Sequence, residues 1–174
     1  TNTTVKGNGY RLQNFVVNGS GILGTTDKTD FDNVKIEDIT VSGGINAGAL
    51  AGTVSNGTIT NCGVYLTTYP EGGNVRDYYV SKAASDTTYD NLMNERYTTK
   101  TISGSGVVGG LVGSANTVTI TESFAAVQIV GGTTRGGLIG SAESGSIDKC
   151  YASGDITGGA TTAGGLLGTA DGVT

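Results

Sequence analysis

The side chains that could carry out chemistry are few and scattered along this chain. The sequence contains no His, which excludes Ser-His-Asp and Cys-His catalytic arrangements, His general bases and His-ligated zinc sites. A polysaccharide lyase or hydrolase would need clustered carboxylates, but Asp38, Asp148 and Asp155 fall in different parts of the sequence. We therefore predict that the protein is not an enzyme and uses no cofactor.

Two short motifs match functional patterns only superficially. Asp27, Asp30 and Asp32 could offer oxygen ligands to calcium, but an Asp- and Thr-rich turn is the more common structure, and we predict no metal site. Residues 104–109 match the G-x-G-x-x-G pattern of dinucleotide-binding folds. That fingerprint requires a helix to begin there, whereas another apolar strand follows, so we expect no bound nucleotide.

Charge and hydropathy narrow the choice of partners. The 174 residues include 10 Lys and Arg against 15 Asp and Glu, a net charge of −5. Nucleic acid and anionic lipid need a basic surface, so we expect neither as a partner. No run approaches the 18 or so apolar residues of a membrane span, so membrane insertion is not expected.

A short glycine box repeats along the chain and dominates its organisation. Its final glycines are 28, 61, 27 and 28 residues apart, so the long interval is one unit carrying 33 extra residues. The five boxes are Gly21-Ile22-Leu23-Gly24, Ala49-Leu50-Ala51-Gly52, Gly110-Leu111-Val112-Gly113, Gly137-Leu138-Ile139-Gly140 and Gly165-Leu166-Leu167-Gly168. A fixed period of this length is typical of solenoid proteins.

Other apolar positions recur with the same period. One series is Leu12/Phe15/Val17, Phe31/Val34/Ile36, Ile59/Cys62/Val64, Ile120/Ser123/Ala125 and Ile147/Cys150/Ala152, and another is Val41, Ile102, Ile129 and Ile156. Each unit therefore offers three β-rich runs separated by Gly, Ser, Asn and Thr. This predicts an all-β fold, a parallel β-solenoid of about five coils, for which we favour the right-handed form.

Stacking the coils makes specific columns. The box residues Ile22, Leu50, Leu111, Leu138 and Leu166 are expected to form one inward ladder, and Phe31, Ile59, Ile120 and Ile147 another. Asn14, Asn33 and Asn61 are expected to share a turn column. Cys62 and Cys150 fall in one column with Ser123 between them, about 9.6 Å apart, which is too far for a disulfide. We predict two buried free thiols.

The boxes resemble those of bacterial proteins that carry the GLUG motif. The matching stretches are Val108–Gly113, Arg135–Gly140 and Ala163–Gly168, and Gly145–Gly154 is similar to that family's continuation, with Lys149 where Asn is usual. Gly7-Asn8-Gly9-Tyr10 to Gly24 looks like the entry coil of such arrays. The resemblance, which spans nearly the whole chain apart from residues 66–99, implies a large bacterial surface or secreted protein and supplies no catalytic residue.

Residues 66–99 interrupt the third coil of the single domain that we assign to residues 1–174. This insertion holds the only Pro, the only Met and five of the eight tyrosines. Those tyrosines, which are the ligand-binding candidates, are Tyr69, Tyr78, Tyr79, Tyr89 and Tyr97. Residues 86–97 can be written as a short amphipathic helix. The insertion could pack against the solenoid flank or present aromatic rings to a sugar or protein, and the two are compatible.

A second candidate surface lies beside the leucine ladder. Because neighbouring strand residues point to opposite faces, the next column should face solvent if the ladder faces inward. The column consists of Leu23, Ala51, Val112, Ile139 and Leu167, and the interface candidates are Leu23, Val112, Ile139 and Leu167. A bend at the box would instead turn both columns inward.

Two functions fit these observations. The first is a non-catalytic, adhesin-like module on a bacterial surface that presents a rigid rod and contacts host glycan or extracellular protein through the insertion. The second is a structural spacer or docking domain of a large secreted peptidase, such as an immunoglobulin A peptidase. In both cases we expect an extracellular location and contact with adjoining domains of a polypeptide that continues beyond Thr174.

Overall fold

The structure is a computed structural model that describes residues 2–66 and 100–174, and these residues form strands and turns without a helix. Short strands follow from the sequence, in which stretches rich in the β-branched residues Val, Ile and Thr are interrupted by Gly and Asn. The strands are β1 (Thr3–Lys6), β2 (Arg11–Gln13), β3 (Val16–Gly19), β4 (Leu23–Asp27), β5 (Thr29–Asp32), β6 (Lys35–Glu37), β7 (Thr40–Ala47), β8 (Ala51–Ser55), β9 (Thr58–Thr60), β10 (Gly63–Tyr65), β11 (Thr101–Gly109), β12 (Val112–Thr121), β13 (Phe124–Ala126), β14 (Gln128–Gly131), β15 (Thr134–Gly136), β16 (Ile139–Asp148), β17 (Tyr151–Ser153), β18 (Ile156–Thr157), β19 (Thr162–Gly164) and β20 (Leu167–Val173).

These strands stack into three parallel sheets that wind about five times around one core, which confirms the predicted β-solenoid. The first sheet contains β1, β4, β5, β8, β9, β12, β16 and β20, the second β2, β6, β10, β13 and β17, and the third β3, β7, β11, β14, β15, β18 and β19. Strands of successive coils pair in register, for example β12 with β16 over Val112↔Ile139 to Thr121↔Asp148. A residue therefore lies directly above its counterpart one period away.

The predicted apolar columns form the core. Ile59 pairs with Phe31 and Ile120, and Ile120 with Ile147. The first three of these side chains are buried, and Ile147 packs against them. The other predicted columns are equally continuous: Leu50, Leu111 and Leu138 are buried between Ile22 and Leu166, and Val41, Ile102 and Ile129 are buried next to Ile156. Each coil thus buries its inner face only against its neighbours, as a solenoid requires.

Left-handed backbone residues form the corners, and they too lie in columns. Asn33, Asn61, Glu122 and Lys149 follow paired strand residues in four successive coils and have φ between 50° and 54°. Asn tolerates this conformation better than most residues. The Asn61 Nδ2 amide donates a hydrogen bond to Asn33 Oδ1 at 3.1 Å, so the expected amide ladder exists between these two coils.

The first coil does not follow the predicted alignment. Val5, rather than Leu12, pairs with Phe31, and Leu12 pairs with Ile36. Asn14 consequently lies beside Asp38, outside the Asn33–Asn61 column, and the expectation that it joins that column is wrong. Residues 12–17 and 31–36 have the same apolar spacing and each segment contains an Asn with positive φ. The first coil is shorter, however, since 26 positions separate Val5 from Phe31 and 28 separate Phe31 from Ile59.

The extra residues of the third coil enter between the second and third sheets. Val64 pairs with Ile36, and Ile102 pairs with Val41. Along the chain, 38 positions separate Val64 from Ile102, whereas only 5 separate Ile36 from Val41 in the preceding coil. The corner after β10 therefore carries 33 additional residues. Leu66, at its start, is buried.

Candidate functional site

The glycine box bends the chain, and the bend decides where its side chains point. The Leu111 and Val112 amides both donate to the Leu138 carbonyl, at 2.9 and 3.3 Å, and the Leu138 and Ile139 amides share the Leu166 carbonyl in the same way. Two consecutive amides can share one acceptor only where the strand is interrupted, so the alternation of faces breaks there.

The predicted solvent-facing column is consequently buried. Val112 and Ile139 are 0% exposed, so the expectation that they face solvent is wrong and the alternative bend is confirmed. Leu23 and Leu167, at the two ends of the column, are only partly buried and pack against the same core. The column is a second inward ladder beside the leucines, and its role in an interface stays a prediction for the end residues alone.

In the third and fourth boxes, close contact between coils requires glycine at the first position. A Cβ on Gly137 would lie 2.0 Å from the Gly165 carbonyl oxygen and 2.7 Å from the Ala152 Cβ, well inside contact distance. A Cβ on Gly110 would meet Gly137 in the same way. The box thus combines a leucine that fills the core with glycines that let the next coil approach.

The tyrosines of the insertion lie outside the described residues, as does the predicted helix over residues 86–97. The Asp-rich turn is described. Asp30 accepts hydrogen bonds from the side chains of Asn2 and Thr58, at 3.0 Å each, and these bonds lower the pKa of its carboxyl group. Across residues 2–66 and 100–174, no group of three or more acidic or Cys side chains is arranged to hold a metal ion.

Aromatic side chains form a row on the outer face of the second sheet. The rings of Phe124 and Tyr151 stack with centroids 5.1 Å apart and planes 5° apart, and the Tyr65 ring lies 6.1 Å from Phe124. Gly63 is the counterpart of Phe124 one coil earlier, and a Cβ there would lie 2.3 Å from the ring. The missing side chain lets Phe124 lean across the neighbouring strand. We call these three rings the aromatic row.

Charged groups border the aromatic row at its first coils. The Arg11 guanidinium lies 5.9 Å from the Tyr65 ring centroid and Lys35 Nζ 5.5 Å from that of Phe124, both within range of a cation–π contact. Glu37 is buried beside them and accepts hydrogen bonds from Gln13 Nε2 at 2.6 Å and Arg11 at 3.4 Å. Burial, followed by the negative charge of Glu37, raises the pKa of Tyr65.

One coil of this structure matches a known family. Residues 131–157 match the GLUG motif family. The chain carries a GLUG motif. No curated protein and no solved structure is significantly similar to the chain.

The GLUG match covers one complete turn of the solenoid. It begins at Gly131, which ends β14, passes through β15 and the box at Gly137–Gly140, and ends at Thr157, which ends β18. Within this turn Ile139 pairs with Val112 on one side and with Leu167 on the other. The GLUG unit is therefore the repeating coil, and its neighbours occupy the same positions in register.

Sequence reasoning missed the aromatic row and one buried cation. Phe124 and Tyr151 each precede a small residue of the inward column, so strand alternation alone could have placed them on one outer face. Arg135 pairs with Val108 and Ala163 and is 0% exposed, a charged residue in an otherwise apolar column. The sequence signal that could have identified it is an arginine at a repeat position that other coils fill with Val or Ala.

Arg135 is held by backbone carbonyls of the next coil. Its guanidinium donates hydrogen bonds to the carbonyl oxygens of Thr157 and Gly158, the latter at 3.0 Å, while its Nε has no hydrogen-bond partner. No carboxylate among the described residues forms an ion pair with it. Arg135 therefore acts as a clamp, by which we mean that its hydrogen bonds link two successive coils, and its side chain is fully buried.

Proposed function

We propose that this protein is a non-catalytic, adhesin-like module of a bacterial surface or secreted protein, and that it contacts host glycan or extracellular protein through the insertion at residues 66–99. The observation that carries the proposal is that one continuous core runs through every coil, while one large insertion interrupts the repeat. Three apolar columns run from the first coil to the last. The 33 additional residues leave at one corner without breaking the pairing of β10 with β13.

A solenoid of this kind separates its two ends by a fixed distance. Five coils at about 4.8 Å give a rod on the order of 25 Å. Because every coil packs only on its neighbours, loops at the corners can be long without disturbing the core, and such loops commonly carry binding function. The five tyrosines of the insertion offer flat apolar rings with a polar hydroxyl, which suit sugar or protein contact.

The alternative is a structural spacer or docking domain of a large secreted peptidase. The regular core favours this alternative, because a spacer needs only the rigidity that repeated coils provide. The absence of His, noted above for the whole sequence, agrees with both functions. In the alternative, ligand recognition belongs to other domains of the same polypeptide, and the insertion only covers the flank of the solenoid.

Binding to a panel of mucins, glycans and matrix proteins separates the two functions. The parent protein is compared with a variant in which residues 67–99 are replaced by a short Gly-Ser turn, and circular dichroism with thermal unfolding shows whether that variant still folds. Binding by the parent and not by the folded variant supports the adhesin-like function. Binding by neither protein supports the spacer. Equal binding of the two contradicts a role for the insertion and assigns ligand contact to another surface of the same module.

A further inference from the structure

A second surface, separate from the insertion, has the chemistry of a sugar site. We propose that the aromatic row of Tyr65, Phe124 and Tyr151, with the polar groups beside it, binds a neutral glycan built of hexopyranose units. The proposal rests on the glycan-contacting role proposed above and gives it a second location, on the described outer face of the second sheet.

The row offers an apolar surface of the right extent. Its rings come from three successive coils, so they cover about 10 Å along the solenoid axis, the length of a short oligosaccharide. Tyr151 is 56% exposed and Phe124 and Tyr65 are half-buried, so solvent reaches the row. Because Phe124 and Tyr151 stack in parallel, the facing sides of the two rings cover each other, and a sugar would contact the ring edges and the outer face of Tyr151. The stacking fixes the ring orientation before any ligand arrives, which lowers the entropy lost on binding.

Planar polar groups border the row on both sides, as hydroxyl-rich ligands require. On one side lie the Gln13 amide and the Arg11 guanidinium, both hydrogen-bonded to Glu37 and both exposed. On the other side lie the half-buried amide of Asn33 and the exposed amide of Asn61. These groups offer donors and acceptors together, which matches a sugar hydroxyl because it also donates and accepts.

The charges around the row favour a neutral glycan over an anionic one. Arg11 is paired with Glu37 at 3.4 Å, and Lys149 lies 3.8 Å from Glu122 and 3.9 Å from Asp148. Lys35 Nζ donates to the carbonyl oxygen and to Oδ1 of Asn61, at 2.6 and 2.9 Å. Carboxylates thus offset the charges of Arg11 and Lys149, whereas Lys35 bonds neutral oxygens and keeps its charge. One such cation beside these acidic groups gives a carboxylate or sulfate polymer little net attraction.

The test measures binding to soluble polysaccharides by affinity gel electrophoresis and isothermal titration calorimetry. The probes are three neutral polysaccharides, laminarin, galactomannan and dextran, and one uronic acid polymer, alginate. We expect the parent protein to bind at least one neutral polymer, and Tyr151→Ala to weaken that binding about tenfold, a usual loss when an aromatic contact is truncated. Tyr151→Phe, which keeps the stacked ring, should retain most of the affinity.

Tyr10→Ala is the matched control, because Tyr10 is 80% exposed and its ring makes no contact with the aromatic row. It should bind like the parent. Thermal unfolding of all three variants shows whether the solenoid remains folded. Should Tyr151→Ala lower the melting temperature and leave the affinity unchanged, the row is structural and the proposal is overturned.

The remaining outcomes separate this site from the insertion. A variant with residues 67–99 replaced that still binds, together with loss of binding in Tyr151→Ala, supports the aromatic row and contradicts the insertion. The reverse result overturns the aromatic row and leaves the proposed function standing. Preference for alginate, or no binding of the four polymers by the parent, overturns the neutral-glycan site.

Discussion

The Cys62 backbone amide donates a hydrogen bond to the Ser123 hydroxyl across 3.1 Å, linking two successive coils inside the core. Ser123 in turn donates to the Thr121 carbonyl at 2.8 Å, so its buried hydroxyl is satisfied. This serine separates Cys62 from Cys150 in their shared column. Both thiols are free, as predicted, although Cys150 is only partly buried where burial was expected.

The two thiols should react at very different rates. Burial raises the pKa of both, and Cys62 is the more buried. Because the thiolate is the nucleophile, native protein should react slowly with iodoacetamide at pH 8, first at Cys150 and at Cys62 only on unfolding. Peptide mass spectrometry after timed labelling locates the adducts. A disulfide-linked peptide, or faster labelling of Cys62, would contradict the register.

The raised pKa of Cys62 also predicts the direction of its effect on stability. The folded state binds the thiol proton of Cys62 more tightly than the unfolded chain does. The thiol therefore makes its full contribution to the free energy of unfolding below about pH 8.5, the ordinary pKa of a thiol, and this contribution is lost as the pH rises toward the pKa in the folded state. Urea unfolding of the parent between pH 7 and pH 10 should show a decline that is smaller in Cys62→Ala. An equal decline in both proteins would assign the effect to other groups.

The core columns were predictable because spacing alone determines them. Ile59 and Ile120 lie 61 positions apart, yet two independent residue patterns gave the same interval, and removal of the 33-residue insertion restored the period. The first coil was not predictable in the same way. Its Leu12 and Phe15 imitate the spacing of a later coil, and only the pairing of Val5 with Phe31 shows which residues are equivalent.

The box bend and the aromatic row needed three-dimensional information. Sequence alternation predicts opposite faces for Leu111 and Val112, and only the shared Leu138 carbonyl shows that the strand turns between them. Phe124 and Tyr151 are 27 residues apart, so their stacking depends on the register of β13 and β17. The space that Gly63 leaves for the Phe124 ring is known only once β10 is placed beside β13.

Equivalent box glycines should differ sharply in their tolerance of alanine. Gly137→Ala would force a Cβ against the Gly165 carbonyl oxygen, and we expect a loss of about 1–3 kcal/mol in the free energy of unfolding. Gly165 occupies the same box position one coil later, where a Cβ meets nothing within 4 Å. Gly165→Ala is therefore the matched control and should be neutral or slightly stabilising. Equal losses in urea unfolding would contradict the contact.

Arg135 should stabilise the last coil locally. In Arg135→Ala the carbonyls of Thr157 and Gly158 lose their donors and a large buried side chain disappears, so we expect a loss of about 2–4 kcal/mol. Hydrogen exchange should accelerate most in β18 and β19. Arg11→Ala removes a side chain that is 55% exposed, and exchange in these two strands should not change. Acceleration confined to other coils would exclude the clamp.

Lys149 occupies a corner where its backbone conformation favours another residue. Its φ of 52° matches those of Asn33 and Asn61, and Asn adopts this region at lower cost than Lys. Lys149→Asn should therefore raise the free energy of unfolding by about 0.5–1 kcal/mol, because the exposed ion pairs that it removes contribute little. Asp148→Asn, one residue earlier in a strand, is the control and should have no such effect. Urea unfolding of both variants measures the difference, and a loss of stability in Lys149→Asn would show that the ion pairs with Glu122 and Asp148 outweigh the backbone preference.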